Sequence, residues 1–146
     1  MKRKGISPVI ATVIIVAVAI AIAIAVAFWM TGIIGLFTRF EKLEVTYCYA
    51  EWSDDSWTVK LKVRNTGSAD ATIVNIFING KPYTAYSPTP SISPTIPTDG
   101  LPLKSGEEQE FTITLDPDAG FEHGMSVEFK IVTASGQEYP KMTNLP

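Results

Sequence analysis

The residues that could do chemistry in this sequence are few and widely spaced. There is one histidine, His123, and one cysteine, Cys48. A tetrahedral zinc site takes four ligands, mostly Cys and His, and one of each cannot build it. Cys48 falls in the alternating run Leu43-Glu44-Val45-Thr46-Tyr47-Cys48-Tyr49. Nothing in that strand-like run activates the thiol, so a Cys48–His123 nucleophile pair is set aside and Cys48 is read as buried and inert. Asp116-Pro117-Asp118-Ala119-Gly120-Phe121-Glu122 faintly resembles a calcium loop but lacks the third close oxygen donor. No phosphate-cradling glycine loop, catalytic-triad order or cysteine pair occurs. The reading is of a protein that is not an enzyme and holds no cofactor or metal.

Hydroxyls are the remaining candidates. From Thr84 to Thr98, seven of fifteen residues are Ser or Thr: Thr84, Ser87, Thr89, Ser91, Ser93, Thr95 and Thr98. Pro88, Pro90, Pro94 and Pro97 punctuate them, which favours extended, solvated backbone. Two readings stand: a long surface loop wrapping a sheet edge, or an O-glycosylated tract. N-linked glycans are not expected, because Asn65, Asn75, Asn79 and Asn144 all lack Ser or Thr two residues on.

The elements that would position these residues are strands. Trp57, Val59, Leu61 and Val63 alternate with Thr58, Lys60, Lys62 and Arg64, the pattern of a half-buried strand. Ser53-Asp54-Asp55-Ser56 before it and Asn65-Thr66-Gly67-Ser68 after it are turn chemistry. Ile73 to Ile78 is a denser apolar strand. Asn79-Gly80 predicts a tight hairpin, with Lys81 to Tyr86 pairing back. Further strands are expected at Gln109–Leu115, Ser126–Thr133 and Gln137–Tyr139. About seven short strands with frequent turns predict an immunoglobulin-like sandwich over residues 43–146.

The N-terminal third is unlike the rest. No charged residue occurs from Ile6 to Thr38, too long an apolar run for a secretory signal and long enough to span a bilayer. Lys2, Arg3 and Lys4 precede it and would hold its start in the cytoplasm, placing the body outside. These three are a quarter of the 12 basic residues, while all 15 acids lie from Glu41 onward. A basic tag on an acidic body does not suit a nucleic-acid binder.

Ala17, Ala19, Ala21, Ala23, Ala25 and Ala27 alternate with Val and Ile. Both alternating sets are apolar and no turn interrupts them, so a helix over 6–42 is expected rather than a strand. On it, Ala17, Ala21 and Ala25 form one stripe, and Ala19, Ala23 and Ala27 another on the roughly opposite side. Such stripes suit close packing by neighbouring helices, though an unpartnered Ala-rich anchor has the same composition. Gly32 and Gly35 read as a soft spot or as close-contact points, with the helix resuming through Phe40 and ending near Leu43.

The run Lys2-Arg3-Lys4-Gly5-Ile6-Ser7-Pro8-Val9-Ile10-Ala11-Thr12-Val13 resembles the N-terminus of archaeal type IV pilins. The resemblance covers about a tenth of the chain, or roughly a third with the helix behind it. It implies that residues 1–5 are a leader, cut after Gly5 by a prepilin peptidase to leave Ile6 as the N-terminus. Gly5 gives a peptidase room at the backbone, and Pro8 is tolerated in a first helical turn. The sequence departs from bacterial type IV pilins, which carry a glutamate shortly after the cut where this chain has Ile10. It also departs from the Gly-rich Thr-Leu-Ile start of archaellum subunits, having Ser7-Pro8-Val9-Ile10 instead.

The fold expected is therefore α+β: a long apolar helix, then an all-β immunoglobulin-like sandwich. The function implied is that of a pilin, a homo-oligomeric filament subunit for surface attachment. It would be stored in the cytoplasmic membrane with its N-terminus inside and displayed outside the cell. An assembly ATPase and a membrane platform protein are partners implied by the resemblance. The alternatives are an archaellin-type motility subunit and a monomeric, membrane-tethered binding module.

Overall fold

The computed structural model describes residues 7–146, which form two units divided between Arg39 and Phe40. The first is helix α1, Pro8–Phe37, 30 residues long. At 1.5 Å per residue it extends about 45 Å. Its start follows from local chemistry: the Ser7 side chain accepts a hydrogen bond from the Val9 N–H, and Pro8 occupies the first turn, where its missing N–H costs nothing. Gly32 and Gly35 do not interrupt the helix, so the expected soft spot is continuous helix. None of its residues is buried, and Val, Ile, Ala and aromatic side chains are exposed around it.

α1 ends at Phe37, short of the boundary at 42 expected from the sequence. The Thr38 N–H still bonds to the Ile34 carbonyl, at 2.9 Å. From Phe40 the backbone bonds elsewhere. Phe40 O accepts from the Ala69 N–H at 3.0 Å, and Lys42 O accepts from the N–H groups of Thr66 at 2.9 Å and Gly67 at 3.1 Å. Tertiary partners have replaced the helical ones.

The second unit is a sandwich of two antiparallel sheets. One holds β1 (Leu43–Ser53), β2 (Ser56–Asn65), β7 (Glu108–Leu115) and β5 (Ser91–Ser93), in the order β1-β2-β7-β5. The other runs β4-β3-β8-β9, from β4 (Lys81–Pro82), β3 (Ala71–Ile78), β8 (Ser126–Thr133) and β9 (Glu138–Asn144). β6 (Leu101–Leu103) pairs with the start of β3. These two orders match the immunoglobulin-like A-B-E-D and C′-C-F-G arrangements, as expected. The inner faces supply the core: Trp57, Val59, Leu61 and Val63 from β2, Phe111, Ile113 and Leu115 from β7, Ile73, Ile76 and Ile78 from β3, and Val127, Phe129 and Ile131 from β8.

Two bulges adjust what alternation alone predicts. In β1, Val45 pairs with Val63 and Tyr47 with Lys62, leaving Thr46 as an extra residue. A one-residue slip exchanges the faces of a strand. Cys48 and Ala50 therefore pack on the core, and Tyr49, expected on the same side as Leu43, is exposed. In β3 the register shifts between Ile73 and Asn75, so Ile73 and Ile76 are both buried while Val74 is exposed.

The turns are those the sequence names. Asp54 and Asp55 both have positive φ, 51° and 57°, closing the β1–β2 hairpin in two residues. Asn79 and Gly80 do the same at 49° and 78°. The strand that pairs back is only Lys81–Pro82, however, because Tyr83–Ala85 winds into a 3₁₀ turn instead of continuing to Tyr86. β9 runs to Asn144 rather than stopping at Tyr139.

Candidate assembly surface

The side chains read as functional fall into three places: α1, the Ser/Thr/Pro tract and the ends of the sandwich. Gly5 and Ile6, the implied processing site, lie outside the described residues. Ala17, Ala19, Ala21, Ala23, Ala25 and Ala27 all lie on α1 and are all exposed. The helix's threonine hydroxyls are used internally. Thr12 Oγ1 donates to Pro8 O at 2.7 Å and Thr31 Oγ1 to Ala27 O at 2.8 Å, so their polarity is turned back onto the backbone. The outcome is a rod whose outer surface is hydrocarbon on all sides. By length and composition it can cross a bilayer.

The tract is more ordered than a plain loop. Ser91, Ile92 and Ser93 form β5 and pair with Thr114, Ile113 and Thr112 at the edge of β7. Ile92 leans on the core and Ile96 is buried, fastening the segment down. Prolines confine a strand to a sheet edge because they donate no ladder hydrogen bond, and this strand lies at such an edge. The expectation of a segment wrapping a sheet edge matches this placement. Thr84, Ser87, Thr89, Ser91, Ser93, Thr95 and Thr98 are all exposed.

Cys48 is half-buried, and burial pushes its thiol up to about 11, the direction of an unreactive sulfur. His123 Nδ1 lies 2.6 Å from Pro146 O. Its ring meets Trp52 edge-on at 4.4 Å and Trp57 at 5.0 Å. Trp57 Nε1 donates to the same carbonyl at 3.1 Å, so His123 helps close one end of the sandwich. In the calcium-like run, Asp116 Oδ1 accepts from the Asp118 N–H at 2.9 Å and caps a 3₁₀ turn, Pro117–Ala119. That employs the carboxylate locally.

The outer face of the first sheet carries a bonded polar row. Tyr47 donates its phenol to Glu110, which with burial pushes that phenol up to about 12. Lys62 pairs with Glu108 at 2.6 Å and lies 5.9 Å over the Tyr47 ring. The Lys62 hydrogen bond holds the Glu108 carboxyl below its usual range, with Arg64 adding to the effect.

One constellation was read from sequence only as a turn. Asn65 is fully buried. Its Nδ2 donates to Ala69 O at 2.9 Å and Leu103 O at 3.0 Å, while its Oδ1 accepts from the Gly67 N–H at 3.0 Å. The turn so formed faces segment 40–42, far upstream in sequence. Local composition carries no signal for that contact.

A hydrocarbon-surfaced helix leading into an immunoglobulin-like sandwich defines a membrane-insertable, helix-tailed β-domain protein. No family model matches the sequence, and no curated protein does. Among solved structures, the archaeal flagellum of Methanospirillum hungatei strain JF1 is similar over 94% of this chain and 88% of its own, at 18% identity and a TM-score of 0.53. That share exceeds what the sandwich alone supplies, so the likeness extends into the helix. The archaellum periplasmic stator protein FlaG from Sulfolobus acidocaldarius is similar over 70% of this chain and 99% of its own, at 18% identity and a TM-score of 0.50. At such identities the likeness is one of fold.

Proposed function

We propose that this chain is the structural subunit of an archaeal type IV-like pilus, polymerising through α1 into an extracellular filament for surface attachment. One observation carries the reading: a 30-residue helix, apolar on every side, of which no residue is buried. Lipid covers that surface in the precursor, and neighbouring copies of α1 cover it in the filament. Returning it to water is strongly unfavourable, at about 25 cal/mol for each Å² of apolar surface. The two alanine stripes let neighbours approach closely on more than one side.

In this reading a prepilin peptidase removes residues 1–5 after Gly5, and an assembly ATPase and platform protein extract the subunit. The sandwich forms the outer sheath and performs no reaction. The exposed hydroxyls of Thr84, Ser87, Thr89, Ser91, Ser93, Thr95 and Thr98 are glycan acceptors that shield it.

The test is intact-mass and N-terminal analysis of protein sheared from the cell surface. Ile6 as the N-terminus of polymeric material supports the pilin reading, and excess mass on peptides from 84–98 supports glycosylation. Intact Met1, confined to detergent-extracted membranes, replaces it with a membrane-tethered module. The fold likeness to an archaeal flagellum supports a second reading, an archaellin-type subunit. Deletion of the gene separates the two: loss of attachment with swimming retained fits the pilus, and loss of swimming fits the archaellum.

A further inference from the structure

The sequence favours helix through Phe40, yet α1 stops at Phe37. Beyond that point, Phe40 O accepts from Ala69 N–H, and Phe40 N–H donates to Ser68 Oγ at 3.1 Å. Lys42 O accepts from Thr66 N–H, Gly67 N–H and, at 3.3 Å, Thr66 Oγ1. Every one of these partners lies in the β2–β3 turn.

That turn is held from behind by groups that owe nothing to segment 40–42. Asn65 bonds two of its backbone groups, Ala69 O and the Gly67 N–H, from inside the core and ties itself to Leu103 O of β6. Ser105 Oγ donates to Gly67 O at 2.6 Å, and the Ser105 N–H donates to Asp70 Oδ1 at 3.1 Å. The receiving surface is therefore preformed.

Gly67 is what lets the segment lie against it. A Cβ built there would fall 2.5 Å from Phe40 O and 2.6 Å from Lys42 N, both backbone atoms. Gly67 is not among the positive-φ glycines, so alanine is conformationally permitted and only the approach forbids it.

We infer that the β2–β3 turn is a clamp that ends α1 by capturing residues 40–42, and that residues 38–42 are a two-state element, helical when released. Capture exchanges the i to i−4 bonds of another helical turn for the bonds to residues 66–69. Capture gives the Phe40 and Lys42 carbonyls partners that the last carbonyls of a helix ending at residue 42 would lack, whereas the helical state gives the N–H groups of residues 39–42 partners four residues back. The two compete because each satisfies a different set of backbone groups. Release lengthens α1 by up to five residues, about 7.5 Å at 1.5 Å per residue. This holds whether or not the chain polymerises.

The test uses the full chain in detergent micelles, with amide exchange and backbone chemical shifts read by NMR in Gly67→Ala and Ser68→Ala. In G67A the Thr66 and Ala69 amides lose protection at least about tenfold, and residues 38–42 move to helical shifts. S68A removes the hydroxyl that accepts from Phe40 N–H. It speeds Phe40 exchange about tenfold and moves its shift partway in the same direction. Unchanged protection of β2 and β8 amides shows that the sandwich remains folded. If G67A unfolds it, S68A decides the matter, since that side chain lies at the surface. Coil-like shifts at 38–42 once the clamp is open overturn the inference, because the helix stop is then intrinsic. Unchanged exchange at the Thr66 and Ala69 amides in G67A overturns it as well, because the segment is then not held there.

Discussion

Asn65 and Thr133 are the buried polar residues among those described, and their burial has different consequences. Asn65 satisfies two carbonyls and one N–H from positions that no water reaches. Asn65→Ala strands those groups, and a buried polar group without a partner costs about 1–3 kcal/mol. The sandwich is expected to lose about 3 kcal/mol, read by urea denaturation through Trp57 fluorescence. Tyr47 and Cys48 make a second residue-scale prediction. Their folded-state values, about 12 and about 11, lie above the usual 10.0 and 9.0. A raised folded value contributes stability that is complete below the usual value and lost as pH climbs to the folded one. Unfolding by alkali is therefore expected to begin above pH 9 and deepen towards pH 12. Cys48→Ala should remove the part between 9 and 11. At pH 8 the Cys48 thiol should react with a disulfide reagent only after denaturant is added.

At the scale of elements, the legible features were those decided within a few residues. The Asp54-Asp55 and Asn79-Gly80 turns need positive φ, and their residue types announce it. Gly80→Val should therefore cost about 1–3 kcal/mol in a thermal melt, the usual range for a strained backbone residue. The β2 faces also followed from alternation alone. What alternation missed were the residues it cannot register. Thr46 and Val74 are ordinary strand residues, and only pairing with the neighbouring strand makes them bulges. Tyr83–Ala85 left the hairpin for a 3₁₀ turn whose neighbour Tyr86 donates to Ile78 O at 2.6 Å and stacks on Phe121. Those partners are fixed by the fold and not by the local run. The helix end was missed for the same reason: its determinant, the turn at residues 65–69, lies in another unit of sequence. Of the surface read as functional, the alanine stripes and the hydroxyl tract could be located directly. The clamp could not, because nothing near Gly67 names Phe40.

For the whole molecule, the question is what covers α1, and the alanine stripes separate the answers. A lone membrane tether needs only an apolar surface. Ala21→Leu preserves that surface and makes insertion slightly more favourable. A helix packed among copies of itself needs small residues where backbones approach. Replacing the methyl with an isobutyl side chain there overpacks the contact, at about 1–3 kcal/mol for each interface. In a polymer that cost recurs at every subunit, so A21L should lower the yield of sheared filaments at least about tenfold while precursor in the membrane stays at its normal level. Ala21→Glu is the comparison, because a carboxylate in the middle of the span harms insertion and assembly alike. Ile20→Leu is the control, a change of shape at nearly constant volume beside the stripe. If A21L and its counterpart on the opposite stripe, Ala23→Leu, both yield filaments as freely as I20L, the alanine stripes are not contact surfaces. The polymer, if there is one, is then held by the sandwich.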